Sequence, residues 1–331
     1  MHTIKITKEL KQKAQEFSTD LFKNRSAHFV TPLERLEKLK SSIPPRKYKA
    51  HKKYVEQIIE DYDDLLKADP SELVGFVKKF DALPGSKLLN TKVPNKNFFF
   101  HESIVHAMRY DDLRSDEILQ FMDISAIKCC VYCHAQLTIV TQMKYYNKKK
   151  KKGEIHVSGK LELDHYYPKS KYPFLSTSFF NLYPVCGNCN RSKLDKSLKF
   201  QLYSYSDDQP YQFALDDQTI LDFHLHNDTS NIKYWFTHTD GKFNERNEFD
   251  QMFDIQGIYN TQKDLVEELL HKSKLYTQSY KDGLIRSFTS IIPDDDFLER
   301  ILIGNYTRVE DVHKRPLAKF TQDIARQLKL I

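Results

Sequence analysis

Apolar positions recur with helical spacing through most of the first 125 residues. Tyr54, Ile58, Ile59, Tyr62, Leu65 and Leu66 mark one face of an amphipathic helix. Thr31-Pro32 ahead of Leu33-Glu34-Arg35-Leu36 reads as an N-cap followed by proline at the first helical position, and Pro44-Pro45 closes that unit. Pro70-Ser71 restarts a helix toward Phe80, Leu83-Pro84-Gly85 to Asn97 reads as loop, and helices are expected again from His101 to Arg109 and from Ser115 to Met122.

From Ile127 to Phe200 the pattern shortens into alternating runs and turns. Gln136 to Tyr146 and Glu154 to Asp164 read as two strands of a hairpin, joined by a lysine-packed turn from Asn147 to Gly153. Further strands are expected from Thr219 to His226 and from Ile232 to His238, around an Asn227-Asp228 turn. Helical spacing returns after Phe249, with Tyr259 to Tyr280 the longest stretch and Lys314-Arg315-Pro316 leading into a last helix to Leu330. No internal repeat is visible. The pattern predicts an α+β, predominantly helical protein in three regions: helical over 1–125, a small mixed module over 126–200, and mixed but mostly helical over 201–331.

A chain of 331 residues with 40% hydrophobic and 29% charged residues can bury a sizeable core and is neither a membrane protein nor a disordered tail. No run approaches the roughly 18 apolar residues of a membrane span. The N-terminal segment Met1 to Lys11 lacks the apolar core of a secretory signal, so a cytoplasmic location is expected. The net charge of +6 is unevenly spread: residues 144–199 carry 13 Lys/Arg against 4 Asp/Glu, a block of +9 in a chain that otherwise sums to −3. Such an island points to a local surface for a polyanion.

Cysteine placement sharpens the same interval. All five cysteines (Cys129, Cys130, Cys133, Cys186, Cys189) fall between positions 129 and 189. Two C-x-x-C pairs in a chain without a secretory signal read as the four thiolates of a closed, structural Zn²⁺ site, whereas a disulfide framework would be spread along the chain. Cys129 then reads as a small core residue.

Between and around these pairs lie Leu161-Glu162-Leu163-Asp164-His165-Tyr166-Tyr167-Pro168-Lys169-Ser170 and Phe180-Asn181-Leu182-Tyr183-Pro184-Val185-Cys186-Gly187-Asn188-Cys189-Asn190-Arg191-Ser192-Lys193. The arrangement resembles the HNH endonucleases over about residues 130 to 195. The resemblance implies a zinc-stabilised ββα-metal module flanked by the helical regions. It implies His165 as general base, Asn181 bracing the loop that holds it, and Asp164 with Asn190 as oxygen ligands of a catalytic Mg²⁺ or Mn²⁺. A hard oxygen donor set suits such an ion, and a neutral imidazole suits deprotonation of water near neutral pH. Arg191 and Lys193, with the run Lys148, Lys149, Lys150, Lys151 and Lys152, are the expected nucleic-acid contacts.

The expected activity is hydrolysis of phosphodiester bonds, of DNA in preference to RNA. A looser similarity links Phe100 to Arg114, Ile258-Tyr259-Asn260 and Arg315-Pro316-Leu317 to HNH proteins that act with a partner ATPase in bacterial anti-phage defence, the Septu type. The rival reading is a zinc-stabilised nucleic-acid-binding or scaffold module with a spent active site. A zinc deaminase is excluded: Val185 separates Pro184 from Cys186, no H-x-E or C-x-E precedes them at a suitable distance, and Cys130 and Cys133 would be left without a role. Tyr166, Tyr167, Tyr172 and Phe174 read as packing, and His134, His156, His224 and His226 as packing or surface residues.

Overall fold

A computed structural model of the chain describes residues 1–93, 97–147, 151–206, 209–240 and 246–331, apart from the side chains of Asp116, Ile118 and His156. The fold is α+β, with about 52% helix and 14% strand, and the sheets among the described residues are two-stranded. No helix among the described residues is long and apolar enough to cross a membrane.

The chain divides into two compact units that do not follow the three consecutive regions expected from the pattern. One unit comprises residues 5–126 and 138–206; the other comprises 1–4, 127–137 and 207–331. The segment carrying Cys130 and Cys133 thus joins the C-terminal region. Backbone hydrogen bonds explain this: Lys128 N–H donates to His313 O at 2.8 Å, and Leu317 N–H donates to His134 O at 2.7 Å.

In the first unit, Thr31 caps the helix Pro32–Ser42 with a capping box closed by Glu34, and Asp69 does the same for Pro70–Asp81 with Glu72. The apolar stripe around Tyr54 divides into two helices, Lys49–Glu60 and Tyr62–Lys67. Aromatic rings fill the core: Phe80 stacks on Phe174 at 3.9 Å, and Phe179 lies 5.0 Å from Phe121 and 5.7 Å from Phe17. Gly85 is required where its loop meets the Lys49–Glu60 helix, since a Cβ there would lie 2.6 Å from Tyr54 Cβ and 2.8 Å from Ala50 O. These helices grip the stretch that follows Asp164-His165; Ser178 Oγ, for example, donates to Leu65 O at 2.7 Å.

The expected hairpin forms as Ile139–Asn147 paired antiparallel with Lys152–Lys160. The alternating run beyond it breaks at Leu161, and Glu162–His165 pairs instead with Leu182–Val185, in antiparallel register Asp164 with Tyr183 and His165 with Leu182. The short helix Gly187–Lys193 follows, giving a strand, strand, helix order.

In the second unit, Tyr211–Leu215 pairs with Tyr234–His238 and packs on the helix Ala318–Gln327 through Phe213 and Phe320, ring centroids 4.9 Å apart. Gln327 extends the edge of this pair, accepting from Leu215 N–H and donating to Leu215 O, both at 2.8 Å. Thr219 to His226, expected as a strand, is the helix Asp217–His226. Thr219 and Phe223, four residues apart, form its buried face, and that packing overrides the β-propensity of Thr219 and Ile220. Asn227, expected in a turn, is the left-handed C-cap of this helix at φ 54°. His224 and His226 lie exposed in its last turn.

Candidate active site

Strand alternation places neighbouring side chains on opposite faces, yet Asp164 and His165 both line one cleft. They stand at the end of their strand, together with Leu163, Pro168, Lys169, Asn190, Arg191, Leu194 and Asp195, around a volume of about 220 Å³. The helix Gly187–Lys193 brings Asn190 and Arg191 to the same cleft.

His165 is 3% exposed. Its Nε2 lies 3.0 Å from the carbonyl oxygen of Ser176. A carbonyl only accepts, so the proton sits on Nε2 and the lone pair on Nδ1. Burial, with Lys169 and Lys193 nearby, pushes its pKa down to about 3, against the smaller opposing effect of the Ser176 carbonyl. The imidazole is neutral at neutral pH, and its tautomer is set. Tyr110 supports it from the far side: its ring lies 4.9 Å from that of His165, and its hydroxyl donates to Leu163 O at 2.9 Å.

Asn181 is fully buried and ties down the loop after His165. Its side-chain oxygen accepts from Tyr167 N–H at 2.8 Å, and its nitrogen donates to Leu175 O at 2.9 Å and Tyr167 O at 3.2 Å. The same loop carries Ser176, so Asn181 and the acceptor that orients His165 belong to one hydrogen-bonded structure.

Asn190 donates its side-chain nitrogen to the Glu162 carboxylate. Since a carboxylate accepts, that contact fixes the amide orientation and leaves the Asn190 oxygen as its available ligand atom. Asp164 is 7% exposed and pairs with Lys193, Nζ to Oδ2 2.9 Å. Lys193 also donates to His165 O at 2.9 Å and is wholly buried. The sequence reading placed Lys193 with Arg191 as a phosphate contact; Lys193 is instead an internal counter-ion, because the helix turns it inward onto Asp164. Arg191 is exposed, its guanidinium bonded to Asn188 Oδ1. Lys151 and Lys152 are exposed, whereas Lys148, Lys149 and Lys150 lie outside the described residues.

Three contributors escaped sequence reasoning. Glu162 fixes Asn190, and its place two residues before Asp164 on one strand face was the available signal. Tyr110 and Lys169 gave weaker ones. Lys169 lines the cleft with its ammonium 4.4 Å from the Tyr110 ring centroid, and burial together with Arg114 pulls its pKa below the usual lysine value.

Each cysteine pair has its own local frame. Cys130 and Cys133 are buried in a tight turn in which His134 N–H donates to Cys130 O at 2.8 Å, and Tyr259 Oη donates to Cys133 O at 2.9 Å. Cys186 is the N-cap of the helix Gly187–Lys193 and Cys189 lies in its first turn. Cys130 and Cys133 belong to one compact unit and Cys186 and Cys189 to the other. Compared with family models, curated proteins and solved structures, the chain matches none.

Proposed function

We propose that this protein is a metal-dependent HNH endonuclease that hydrolyses phosphodiester bonds of DNA. One observation carries the reading: a neutral, tautomerically fixed His165 shares a cleft with the carboxylate of Asp164 and the amide of Asn190. In this reading His165 Nδ1 takes the proton of the attacking water, while Ser176 O holds the imidazole in place and Asn181 holds the loop. Asp164 and Asn190 present oxygen donors of the kind that hold Mg²⁺ or Mn²⁺. Such an ion, when bound, supplies stabilisation of the charge that builds on the phosphate and its leaving oxygen. Lys169 and Arg191 line the cleft as cations for neighbouring phosphates, and Lys151 and Lys152 extend the basic surface of the same unit.

The four cysteines are assigned a structural Zn²⁺, whose closed thiolate set leaves no position for substrate. The similarity of Phe100 to Arg114 to defence nucleases has a physical counterpart, since Tyr110 in that segment supports Leu163 and His165. On that basis we also assign the protein a partner ATPase in anti-phage defence, with cytoplasmic DNA as substrate.

Supercoiled plasmid incubated with the purified chain and Mg²⁺ or Mn²⁺ tests the reading. Nicking or linearisation is expected, and it should vanish in both Asp164→Ala and His165→Ala. Cleavage that persists in His165→Ala refutes the mechanism. Retention of DNA without any cutting, in the presence of the partner ATPase as well, favours the binding-module alternative.

A further inference from the structure

The turn that holds Cys130 and Cys133 carries a second set of potential ligands, on Cys129 and His134, and His313 completes it from the 3-10 segment Val309–Lys314. The sulfur of Cys129 and a ring nitrogen of each histidine lie within 4.8 Å of one another. All three residues belong to the same compact unit and are 4% exposed or less.

The histidines lack the bonds that a buried imidazole ordinarily makes. Neither ring nitrogen of His134 has a hydrogen-bond partner. His313 has only a loose contact with the backbone of His2, too poorly aligned to count as a regular hydrogen bond. The two rings face each other with centroids 4.8 Å apart. An unpaired buried N–H or ring nitrogen is costly, and a wholly buried His134 with neither nitrogen paired, beside a His313 held only loosely, needs a reason. Cys129 is bonded differently: its thiol donates to His313 O at 3.3 Å and to Val312 O at 3.6 Å. The backbone holding the set is firm. His134 sits at φ 52°, clamped between Cys130 O and Leu317 N–H, and Cys129 bridges to Leu137.

We propose that Cys129, His134 and His313 form a buried site for a Zn²⁺-class ion, distinct from the zinc assigned to the other four cysteines. One thiolate and two imidazoles are a borderline-soft donor set that suits zinc and not magnesium or calcium. Usual zinc bond lengths put ligand atoms about 3.4–3.7 Å apart, so separations of no more than 4.8 Å close by about 1 Å at most, within reach of small side-chain rotations. On binding, the thiol releases its proton, the two carbonyl contacts of Cys129 are given up, and one nitrogen of each histidine gains a partner. Three protein ligands leave the fourth position of a tetrahedral zinc to water or a further donor, and the bound ion pins the turn at residues 129–134 to the segment around His313. It does not depend on the nuclease reading.

Zinc content of the purified full chain, read by elemental analysis, is the test. About two zinc per chain are expected. Cys129→Ser and His134→Ala should each lower this to about one, and the zinc that remains should be the one lost in Cys186→Ser. One zinc that survives Cys186→Ser but disappears in His134→Ala supports this site while removing the four-cysteine assignment. One zinc that His134→Ala leaves untouched overturns the proposal. Cobalt titration of zinc-stripped wild-type protein guards against variants that misfold. Co²⁺ bound with single-thiolate charge-transfer absorption supports the site, and saturation with only the four-thiolate spectrum overturns it.

Discussion

The Lys193–Asp164 pair offers the sharpest quantitative test of the cleft. Lys193 Nζ lies 2.9 Å from Asp164 Oδ2 with side-chain exposures of 0% and 8%, and it also donates to His165 O at 2.9 Å. Lys193→Met keeps the length of the aliphatic stem and removes the ammonium group. Truncating one partner of a buried ion pair leaves an uncompensated charge and costs about 3–5 kcal/mol. The lost hydrogen bond to His165 O is contained in that figure. With a urea m-value of about 3 kcal/mol per M, the unfolding midpoint should fall by about 1–1.7 M. The assay is urea denaturation followed by circular dichroism in buffer free of Mg²⁺ and Mn²⁺.

Adding Asp164→Asn to Lys193→Met removes the stranded charge, so the double variant should regain part of the loss, about 2 kcal/mol. The same reasoning gives the metal dependence its sign. Without the competing ammonium, Asp164 is freer to hold a divalent ion, so Mn²⁺ should stabilise Lys193→Met more than wild type. A Lys193→Met protein as stable as wild type, or a double variant no better than the single, would refute the reasoning.

Two further outcomes follow from other buried polar groups. Burial alone would raise the Asp69 pKa, but Lys11 at 2.7 Å, Ser71 and Tyr205 outweigh it and hold the carboxyl well below the ordinary value of 3.8. Its contribution is therefore fully present above that value and is lost as pH falls through the folded-state pKa, so urea midpoints should drop at acid pH more steeply in wild type than in Asp69→Asn; equal slopes would contradict the assignment. Asn181→Ala removes three buried hydrogen bonds and should cost about 3 kcal/mol. It should also release Tyr167 N–H to hydrogen exchange and depress plasmid nicking without weakening DNA binding, whereas unchanged exchange would show that Asn181 is not the brace.

Local signals carried the sequence reading as far as they reached. Thr31-Pro32 and Pro70-Ser71 announce helix starts because a cap or a fixed φ acts within one turn. Asp164-His165, Asn181 and Asn190 were legible as a group because their chemistry is written in short motifs, and the cleft does bring Asp164, His165 and Asn190 together. What stayed hidden depends on contacts between distant segments. Nothing near Lys193 in the chain says that it turns inward to Asp164, and nothing near His134 points to His313. Thr219 to His226 misled because β-branched composition is a weak prior, and the decisive fact is the shared buried face of Thr219 and Phe223. Ile139–Asn147 and Lys152–Lys160 pair as the expected hairpin, but the second strand ends at Lys160, since Glu162–His165 has its own partner in Leu182–Val185.

That separate pairing explains how adjacent residues come to carry opposite electrostatic roles. Asp164 has a cation in Lys193, whereas burial beside Lys169 and Lys193 disfavours protonation of His165. Lys193 therefore acts on both neighbours with one ammonium group, attracting the carboxylate and repelling a second proton on the imidazole. Paired titratable groups whose surroundings drive them apart in charge are the arrangement that divides acid, base and ligand roles in a reactive site. Here the division rests on the short helix Gly187–Lys193, which presents Asn190 and Arg191 to the cleft and sends Lys193 beneath it. A change in the pitch or anchoring of that helix would alter the ligand, the counter-ion and the base environment together. Cys186 is the N-cap of that helix and Cys189 lies in its first turn, so the zinc proposed for them would act on that anchoring.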